Sequence, residues 1–289
     1  MKKKIWVPLV LIGLCLIVFF GYRLAVAGSK DTAAPQIQMD SEQPRLSVTA
    51  SEEELLQGVT ATDNKDGDVT ASLLVESIRL QGTDGTATVR YAAFDKAGNV
   101  AKADRQVYFT DYESPRFSLS APMAMQQNSS KDVMSIITAS DLLDGDISRR
   151  IRATTVSEEP VSGVGVHQVE FRVSNSLGDT VRLVLPLEVY LAGSYSATLT
   201  LTDYLIYLPA GAKFSPEAYL DTFFWRNEEL SLQEGLPEYL LLEIDGTVDT
   251  RTPGVYSLGY TVRFATEGET YQGGQSYAGH SRLTVVVEG

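Results

Sequence analysis

Beyond residue 28, the chain alternates apolar and polar residues in short runs. Such runs occupy residues 87–95, 166–174, 183–191 and 283–288, and they are rich in β-branched and aromatic residues. This alternation is typical of strands with one buried and one exposed face. Gly, Asp, Asn and Pro separate the runs, and no sustained helical periodicity occurs in this part of the sequence. The pattern therefore predicts an all-β fold.

A seven-residue phrase occurs three times, each time as a glycine, an apolar residue four positions later and a final aromatic residue. The copies are Gly85–Tyr91, Gly165–Phe171 and Gly254–Tyr260, so their starts lie 80 and 89 residues apart. A second phrase, Asp-Gly-Asp, occupies residues 66–68 and 144–146. Repetition at this period indicates one small domain copied in tandem. Several strands per copy predict a two-sheet sandwich, and three sandwiches fit 289 residues.

The repeats and the polar stretches between them predict the domain boundaries. We expect an N-terminal segment, a linker and three sandwiches over residues 1–28, 29–36, 37–111, 116–191 and 195–289, respectively. Links this short leave little slack, which predicts an extended and semi-rigid array. The third sandwich is the most divergent copy, since it lacks the Asp-Gly-Asp phrase.

The N-terminus combines three lysines, residues 2–4, with an apolar run over residues 5–22. A helix needs roughly 20 apolar residues to cross a bilayer. The lysines favour a cytoplasmic N-terminus, with the remainder of the chain outside the cell. We expect an uncleaved single-pass membrane anchor. The alternative is a signal peptide that is cleaved after Ala27, because residues 25–27 have the small-x-small form of a cleavage site and the mature protein would then be secreted.

Charge and cysteine content narrow the possible partners. The four basic residues before position 29 leave 20 of the 24, against 37 acidic residues, so the remaining chain has a formal charge of −17. That excess argues against nucleic acid, whose phosphates require clustered Lys and Arg. Cys15, in the apolar run, is the only cysteine, so the predicted exported part has no disulfide. This composition favours a bacterial surface protein.

The motifs of the first sandwich resemble those of a bacterial immunoglobulin-like domain of the pesticidal-crystal-protein type. Residues 59–71, 85–100 and 105–111 carry its Asp-Gly-Asp turn, its Tyr-x-Ala-x-Asp strand and its Ala-Gly-Asn turn. The second sandwich keeps residues 139–148 but has Leu-Gly-Asp at 177–179, and the third is assigned from its tandem position. The resemblance implies three immunoglobulin-like sandwiches on a membrane-anchored surface protein.

Four acidic residues of the first sandwich are candidate calcium ligands, because hard cations bind several carboxylate oxygens. They are Asp63, Asp66, Asp68 and Asp95, and their counterparts in the second sandwich are Asp141, Asp144 and Asp146. The alternative is that these residues only cap backbone amides in turns. Lys65 falls where an EF-hand has a ligand, and Asn175 replaces Asp95 in the second sandwich. No other cofactor is predicted.

The sequence predicts a protein without catalytic activity. Its two histidines, His167 and His280, are far apart, and the exported part has no cysteine, which argues against nucleophilic triads and histidine metal sites. We expect a surface stalk, an adhesion protein or a ligand-binding module. The alternatives are a carbohydrate- or cell-wall-binding accessory protein and a structural component of an envelope complex.

An extracellular protein or a glycan is the expected ligand, although its identity is open. Four aromatic residues of the third sandwich are candidates for the contact surface, namely Tyr219, Trp225, Tyr271 and Tyr277. Aromatic rings of this kind can instead belong to a core or its rim.

Overall fold

Strands are the main secondary structure of the described residues, as the alternation predicts. The computed structural model describes residues 6–29, 31–40, 42–129, 132–156, 163–265, 270–271, 275–276 and 278–289. The chain forms two compact units, Met1–Tyr112 and Glu113–Gly289. We refer to them as the first and second units.

Among its described residues, the first unit has two α-helices and seven strands. These are α1 Trp6–Ser29, β1 Gln36–Met39, β2 Arg45–Leu46, α2 Glu52–Leu55, β3 Val59–Asp63, β4 Gly67–Asp68, β5 Leu74–Leu80, β6 Thr86–Phe94 and β7 Val100–Phe109. The strands form two sheets, in the orders β1-β3-β4 and β2-β7-β6-β5. Strand β2 runs parallel to β7, and the other pairs are antiparallel.

The apolar run at the N-terminus forms α1. Within the part of the chain that the structure describes, no helix combines the length and apolar character needed to cross a membrane. The transmembrane span predicted from the sequence is therefore not found.

The second unit begins with a repetition of this strand order. Its first seven strands are β8 Arg116–Leu119, β9 Ala124–Gln126, β10 Ile137–Asp141, β11 Gly145–Asp146, β12 Arg152–Thr155, β13 Gly165–Ser174 and β14 Thr180–Tyr190. They form sheets in the orders β11-β10-β8 and β12-β13-β14-β9, and β9 is parallel to β14 just as β2 is parallel to β7. We call this part the middle sandwich.

In the remainder of the second unit, the described residues form nine strands. These are β15 Ala197–Leu201, β16 Leu205–Pro209, β17 Leu220–Trp225, β18 Glu228–Ser231, β19 Leu240–Asp245, β20 Gly254–Phe264, β21 Thr270–Tyr271, β22 Gln275–Ser276 and β23 Ala278–Glu288. The main sheet has the order β18-β17-β15-β23-β20-β19, and β16 also pairs with β23. The long β23 contacts both β15 and β16, which joins two sheets that are separate in the middle sandwich. We call this part the C-terminal sandwich.

The repeated phrase marks the same strand of each copy, namely β6, β13 or β20. Its aromatic residues Tyr91, Phe171 and Tyr260 are all fully buried. The two tyrosines donate hydrogen bonds from their hydroxyl groups to backbone carbonyl oxygens, at 2.7 Å for Leu55 and 3.0 Å for Pro216. A buried hydroxyl needs such a partner. The phrase thus places one aromatic anchor in each core.

The glycine that opens the phrase has no common role. Gly85 has a φ of +87°, and a β-carbon there would lie 2.3 Å from the carbonyl oxygen of Phe109. That position requires glycine for both its conformation and its space. A β-carbon at Gly254 would meet only the ring of Tyr256, at 3.6 Å and beyond.

The middle and C-terminal sandwiches share apolar contacts. Leu205 of β16 is buried within the cluster that forms the middle core, and Tyr204, Tyr207 and Val286 pack against that cluster. Tyr204 also packs against the core of the C-terminal sandwich. These contacts unite residues 113–289 in one compact unit. The division of the chain into three separate domains therefore stays a prediction.

Candidate functional site

The first candidate site lies where β3 of the first unit ends. Asp63 is the last residue of β3, and its Oδ1 accepts hydrogen bonds from the backbone N–H groups of Lys65 at 2.7 Å and Asp66 at 2.9 Å. Donation from Asp66, and then from Lys65, holds the pKa of the Asp63 carboxyl group below its usual value. Asp63 therefore remains ionised at neutral pH while it shapes the turn.

A second turn brings another carboxylate to the same place. Asp95 directly follows β6, and its Oδ1 and Oδ2 accept hydrogen bonds from the backbone N–H and the side-chain Nδ2 of Asn99, at 2.8 and 2.6 Å. Asp95 is only 8% exposed. The turn thus fixes a buried carboxylate beside the end of β3.

Asp31 completes this group, which we call the acidic cluster. One carboxylate oxygen from each of Asp31, Asp63 and Asp95 lies within 4.8 Å of the other two. The ammonium group of Lys65 lies 3.9 Å from Asp31 Oδ1. Asp63 is 9% exposed, and its Oδ2 has no hydrogen-bond partner among the described residues. A buried polar atom without a partner is unfavourable, so this oxygen requires an explanation.

Asp66 and Asp68 do not join the acidic cluster. Asp66 Oδ2 accepts a hydrogen bond from the backbone of Lys96 at 2.8 Å, and its Oδ1 lies 3.4 Å from the Lys96 ammonium group. Asp68 Oδ1 accepts a hydrogen bond from the Thr70 backbone at 2.9 Å. Of the four predicted calcium ligands, the structure brings together only Asp63 and Asp95. It adds Asp31, which the sequence analysis missed because that residue precedes the repeated part of the chain.

The middle sandwich has the same two turns with one chemical difference. Asp141 Oδ1 accepts hydrogen bonds from the backbones of Leu143 and Asp144, both at 3.0 Å, as Asp63 does in the first unit. The second turn there carries Asn175 instead of an aspartate, and its Nδ2 donates to Asp141 Oδ2 at 3.0 Å. Asp144 and Asp146 accept hydrogen bonds from the backbones of Ser176 and Ser148. In the middle sandwich, the Asn175 amide thus donates to Asp141 Oδ2. The corresponding oxygen of the first unit, Asp63 Oδ2, has no donor among the described residues.

Of the four predicted aromatic residues, the structure describes the side chains of Tyr219 and Trp225, and these two lie apart. Trp225 packs in the C-terminal core, with its ring centroid 5.5 Å from Phe223 and 5.1 Å from Phe264. Tyr219 directly precedes β17 and Trp225 ends it, so six steps along an extended strand place their backbones about 20 Å apart. Tyr271 lies in β21, but its side chain is outside the described residues, as is all of Tyr277.

Tyr219 instead lines an open groove on the C-terminal sandwich. Its ring lies 5.7 Å from that of Phe214, at an interplanar angle of 31°. The cavity measures about 770 Å³, and its lining consists of residues 212–215, 218, 219, 248 and 250. Lys213, Ser215 and Thr250 add polar groups to the two rings. We call this feature the aromatic groove.

A polar contact between the two sandwiches of the second unit was missed by the sequence analysis. Glu188 Oε2 of β14 lies 2.9 Å from both Nε2 of His280 and Nε of Arg282, which belong to β23. The ring of Tyr195 stacks on that of His280 at 4.7 Å. The two partners are 92 and 94 residues from Glu188, so no local spacing could reveal the contact. His280 lies within the long β23.

Comparisons with known proteins do not place the chain in a family. No family model and no curated protein matches it. Among solved structures, it is similar to the M60 catalytic domain with the CBM51-1 and CBM51-2 domains of Clostridium perfringens ZmpB (11% identity, TM-score 0.24), covering 89% of this chain and 43% of that one. It is also similar to mouse cadherin-23 EC22-24 (12% identity, TM-score 0.21, 89% and 99% covered). Mouse protocadherin-24 EC1-3 is similar at 10% identity and a TM-score of 0.20, covering 89% of this chain and 91% of that one.

This chain spans less than half the length of the first of these structures. TM-scores this low carry no argument about function. The assignment as an all-β protein built from sandwiches therefore rests on its own strand order.

Proposed function

We propose that this protein is a non-catalytic, extracytoplasmic presentation and binding protein. In this proposal, the second unit is a rigid arm and the C-terminal sandwich makes the contact with a ligand. The immunoglobulin-like character of the sandwiches belongs to the same proposal, supported by the turn motifs and by the recurrence of one strand order. Because such sandwiches carry many functions, the proposal depends on specific contacts rather than on fold class.

The observation that carries the proposal is the join between the middle and C-terminal sandwiches. Apolar contacts at Leu205 and Tyr207 are accompanied by a hydrogen bond of 3.1 Å from the backbone N–H of Phe117 to the Tyr207 hydroxyl oxygen. Elsewhere at this join, Arg116 Nη2 lies 3.1 Å from Glu288 Oε1. Flexibly linked sandwiches do not need such a set of contacts. A fixed relation between the two sandwiches is what a presenting arm requires.

A distance measurement on the full chain tests the rigid arm. The chain has one cysteine, so a Cys15→Ser background allows spin labels at Thr154→Cys and Glu229→Cys, both exposed positions of the second unit. We expect a single narrow distance distribution from pulsed electron paramagnetic resonance. A broad distribution would show that the sandwiches move independently, and the presentation role would then be abandoned.

Carbohydrate binding is the second candidate function, and the aromatic groove favours it. Two tilted rings beside lysine, serine and threonine side chains offer both apolar faces and hydrogen-bonding groups to a sugar. Tyr219, which lines the groove, is one of the four aromatic residues that the sequence predicts for the contact surface.

Removal of the Tyr219 ring tests the second candidate. We expect Tyr219→Ala to weaken retention of the full chain on an immobilised glycan or cell-wall fraction by at least about tenfold, which corresponds to about 1.4 kcal/mol. Phe224→Ala is the matched control, because Phe224 is exposed on the same sandwich but does not line the groove. Equal retention of both variants would exclude the groove as the glycan site.

The location at the cell exterior is likewise a proposal. It is supported by the lysines at 2–4, the apolar run that follows them and the absence of cysteine after residue 15. The choice between a membrane-anchored protein and a secreted one depends on whether the chain is cut after Ala27. Mass spectrometry of the mature N-terminus distinguishes the two.

A further inference from the structure

We propose that Asp31, Asp63 and Asp95 of the first unit bind one calcium ion. The inference is independent of the binding function proposed above, since it concerns the first unit alone. It begins from the buried Oδ2 of Asp63, for which the described residues supply no donor. A cation bound among the three carboxylates supplies the missing partner for that oxygen and compensates the negative charge.

The spacing of the acidic cluster fits a hard cation. Its three carboxylate oxygens lie within 4.8 Å of one another. Calcium binds oxygen at about 2.4 Å, so two ligands of one ion are at most about 4.8 Å apart. Magnesium binds at about 2.1 Å and demands nearly ideal octahedral geometry, whereas calcium accepts irregular arrangements of six to eight oxygens. Three carboxylates that come from two separate turns and from the segment before β1 are better suited to calcium.

Access for solvent completes the coordination. A cavity of about 290 Å³ lies against Asp63 and is also lined by Ala33, Ala34, Gln36, Thr62 and Asn64. Water molecules in this cavity can therefore approach an ion from the side of Asp63 and supply further oxygen ligands. Asp31, which lies before β1, reaches the cluster from the segment that leads into the first sandwich.

The middle sandwich provides an internal comparison for this site. The turn after β6 and the turn after β13 have the same backbone hydrogen bonds, from residue 95 to 99 and from residue 175 to 179, and Gly98 and Gly178 have φ angles of +87° and +89°. The aspartate and the asparagine exchange places between the two turns. The first turn has Asp95 and Asn99 where the second has Asn175 and Asp179. The exchange replaces the amide donor that satisfies Asp141 with a second carboxylate. The same pair of turns therefore holds an aspartate paired with an amide in the middle sandwich, and a group of carboxylates suited to a cation in the first unit.

The principal test introduces the asparagine and aspartate of the middle-sandwich turn into the first unit. The double variant Asp95→Asn with Asn99→Asp reproduces the side chains of the middle sandwich on a backbone that already accommodates them. Isothermal titration of calcium into the metal-free full chain should give one site for the wild-type protein. We expect at least about 100-fold weaker binding in the double variant, because loss of even a residue behind a metal ligand costs about 10- to 100-fold.

Two single variants separate a specific site from the general acidity of the chain. Asp31→Asn changes a residue outside the strands, so it leaves the fold intact and should weaken calcium binding. Asp68→Asn removes one negative charge nearby, but that carboxylate caps Thr70 and should leave the affinity unchanged.

Calcium should also raise the melting temperature of the first unit within the full wild-type chain, whereas EDTA should lower it. Neither calcium nor EDTA should change the melting temperature of the double variant. Three results would overturn the proposal: no titratable calcium site, equal binding by the double variant, or a preference for magnesium.

Discussion

Replacing Phe171 with alanine is expected to lower the free energy of unfolding of the second unit by about 3–5 kcal/mol. Phe171 lies in β13 with no exposed surface, and the cluster around it contains residues from both sheets of the middle sandwich. Its removal forfeits the transfer free energy of the ring and leaves a cavity that rigid strands on both sides cannot fill.

Urea unfolding followed by tryptophan fluorescence measures this change. The chain has two tryptophans, so a Trp6→Phe background leaves Trp225, in the second unit, as the single reporter. Val166→Ala is the control, because Val166 lies on the same strand but is 53% exposed and should change the stability by less than about 0.5 kcal/mol. A loss below about 1 kcal/mol for Phe171→Ala would contradict the central position of this ring.

Replacing Glu188 with alanine is expected to destabilise the second unit by about 2–3 kcal/mol at neutral pH. The side chains of Glu188, His280 and Arg282 are 17%, 8% and 12% exposed, so removal of the carboxylate leaves a largely buried guanidinium group without its acceptor. Arg282 keeps one hydrogen bond, to Ser257 Oγ at 2.7 Å, which limits the loss.

The same contact predicts a dependence on pH. The hydrogen bond from His280, followed by the charges of His280 and Arg282, lowers the pKa of Glu188 from 4.5 to about 2, against the effect of burial. A lowered pKa in the folded state stabilises the protein fully above pH 4.5, and this stabilisation disappears as the pH falls from 4.5 towards 2. We expect about 2 kcal/mol to be lost in that window, after allowance for solvent screening.

Chemical denaturation of the wild-type protein and Glu188→Gln at several pH values measures this contribution. The difference between the two should shrink as the pH falls from 4.5 towards 2. Glu243→Gln serves as the control, since Glu243 also pairs with an arginine but its side chain is 61% exposed, where an ion pair contributes little. A difference between wild type and Glu188→Gln that stays constant down to pH 2 would show that the ionised carboxylate of Glu188 does not supply the stabilisation.

Much of the strand content could be predicted from the sequence because strand periodicity is local. The alternation in β6 and β13 is read from neighbouring residues, and the structure buries one face of each strand as expected. The Asp-Gly-Asp turns were predictable for the same reason, since Gly67 and Gly145 adopt the left-handed conformation that such turns require. The candidate sites were predicted less well, because their members come from distant segments. Trp225 belongs to a core whose other residues no local pattern connects to it.

The all-β class, the repeated phrase with its aromatic residue and the acidic turns could be predicted from the sequence, because each is encoded within a few residues. Which side chains those turns bring together depends on the packing of distant segments. This packing brought Asp31 to Asp63 and Asp95, left Asp66 and Asp68 as backbone caps, and placed Glu188 against His280 and Arg282. These contacts depend on how separate strands pair and pack, and the distance between such partners along the chain carries no information about their distance in space.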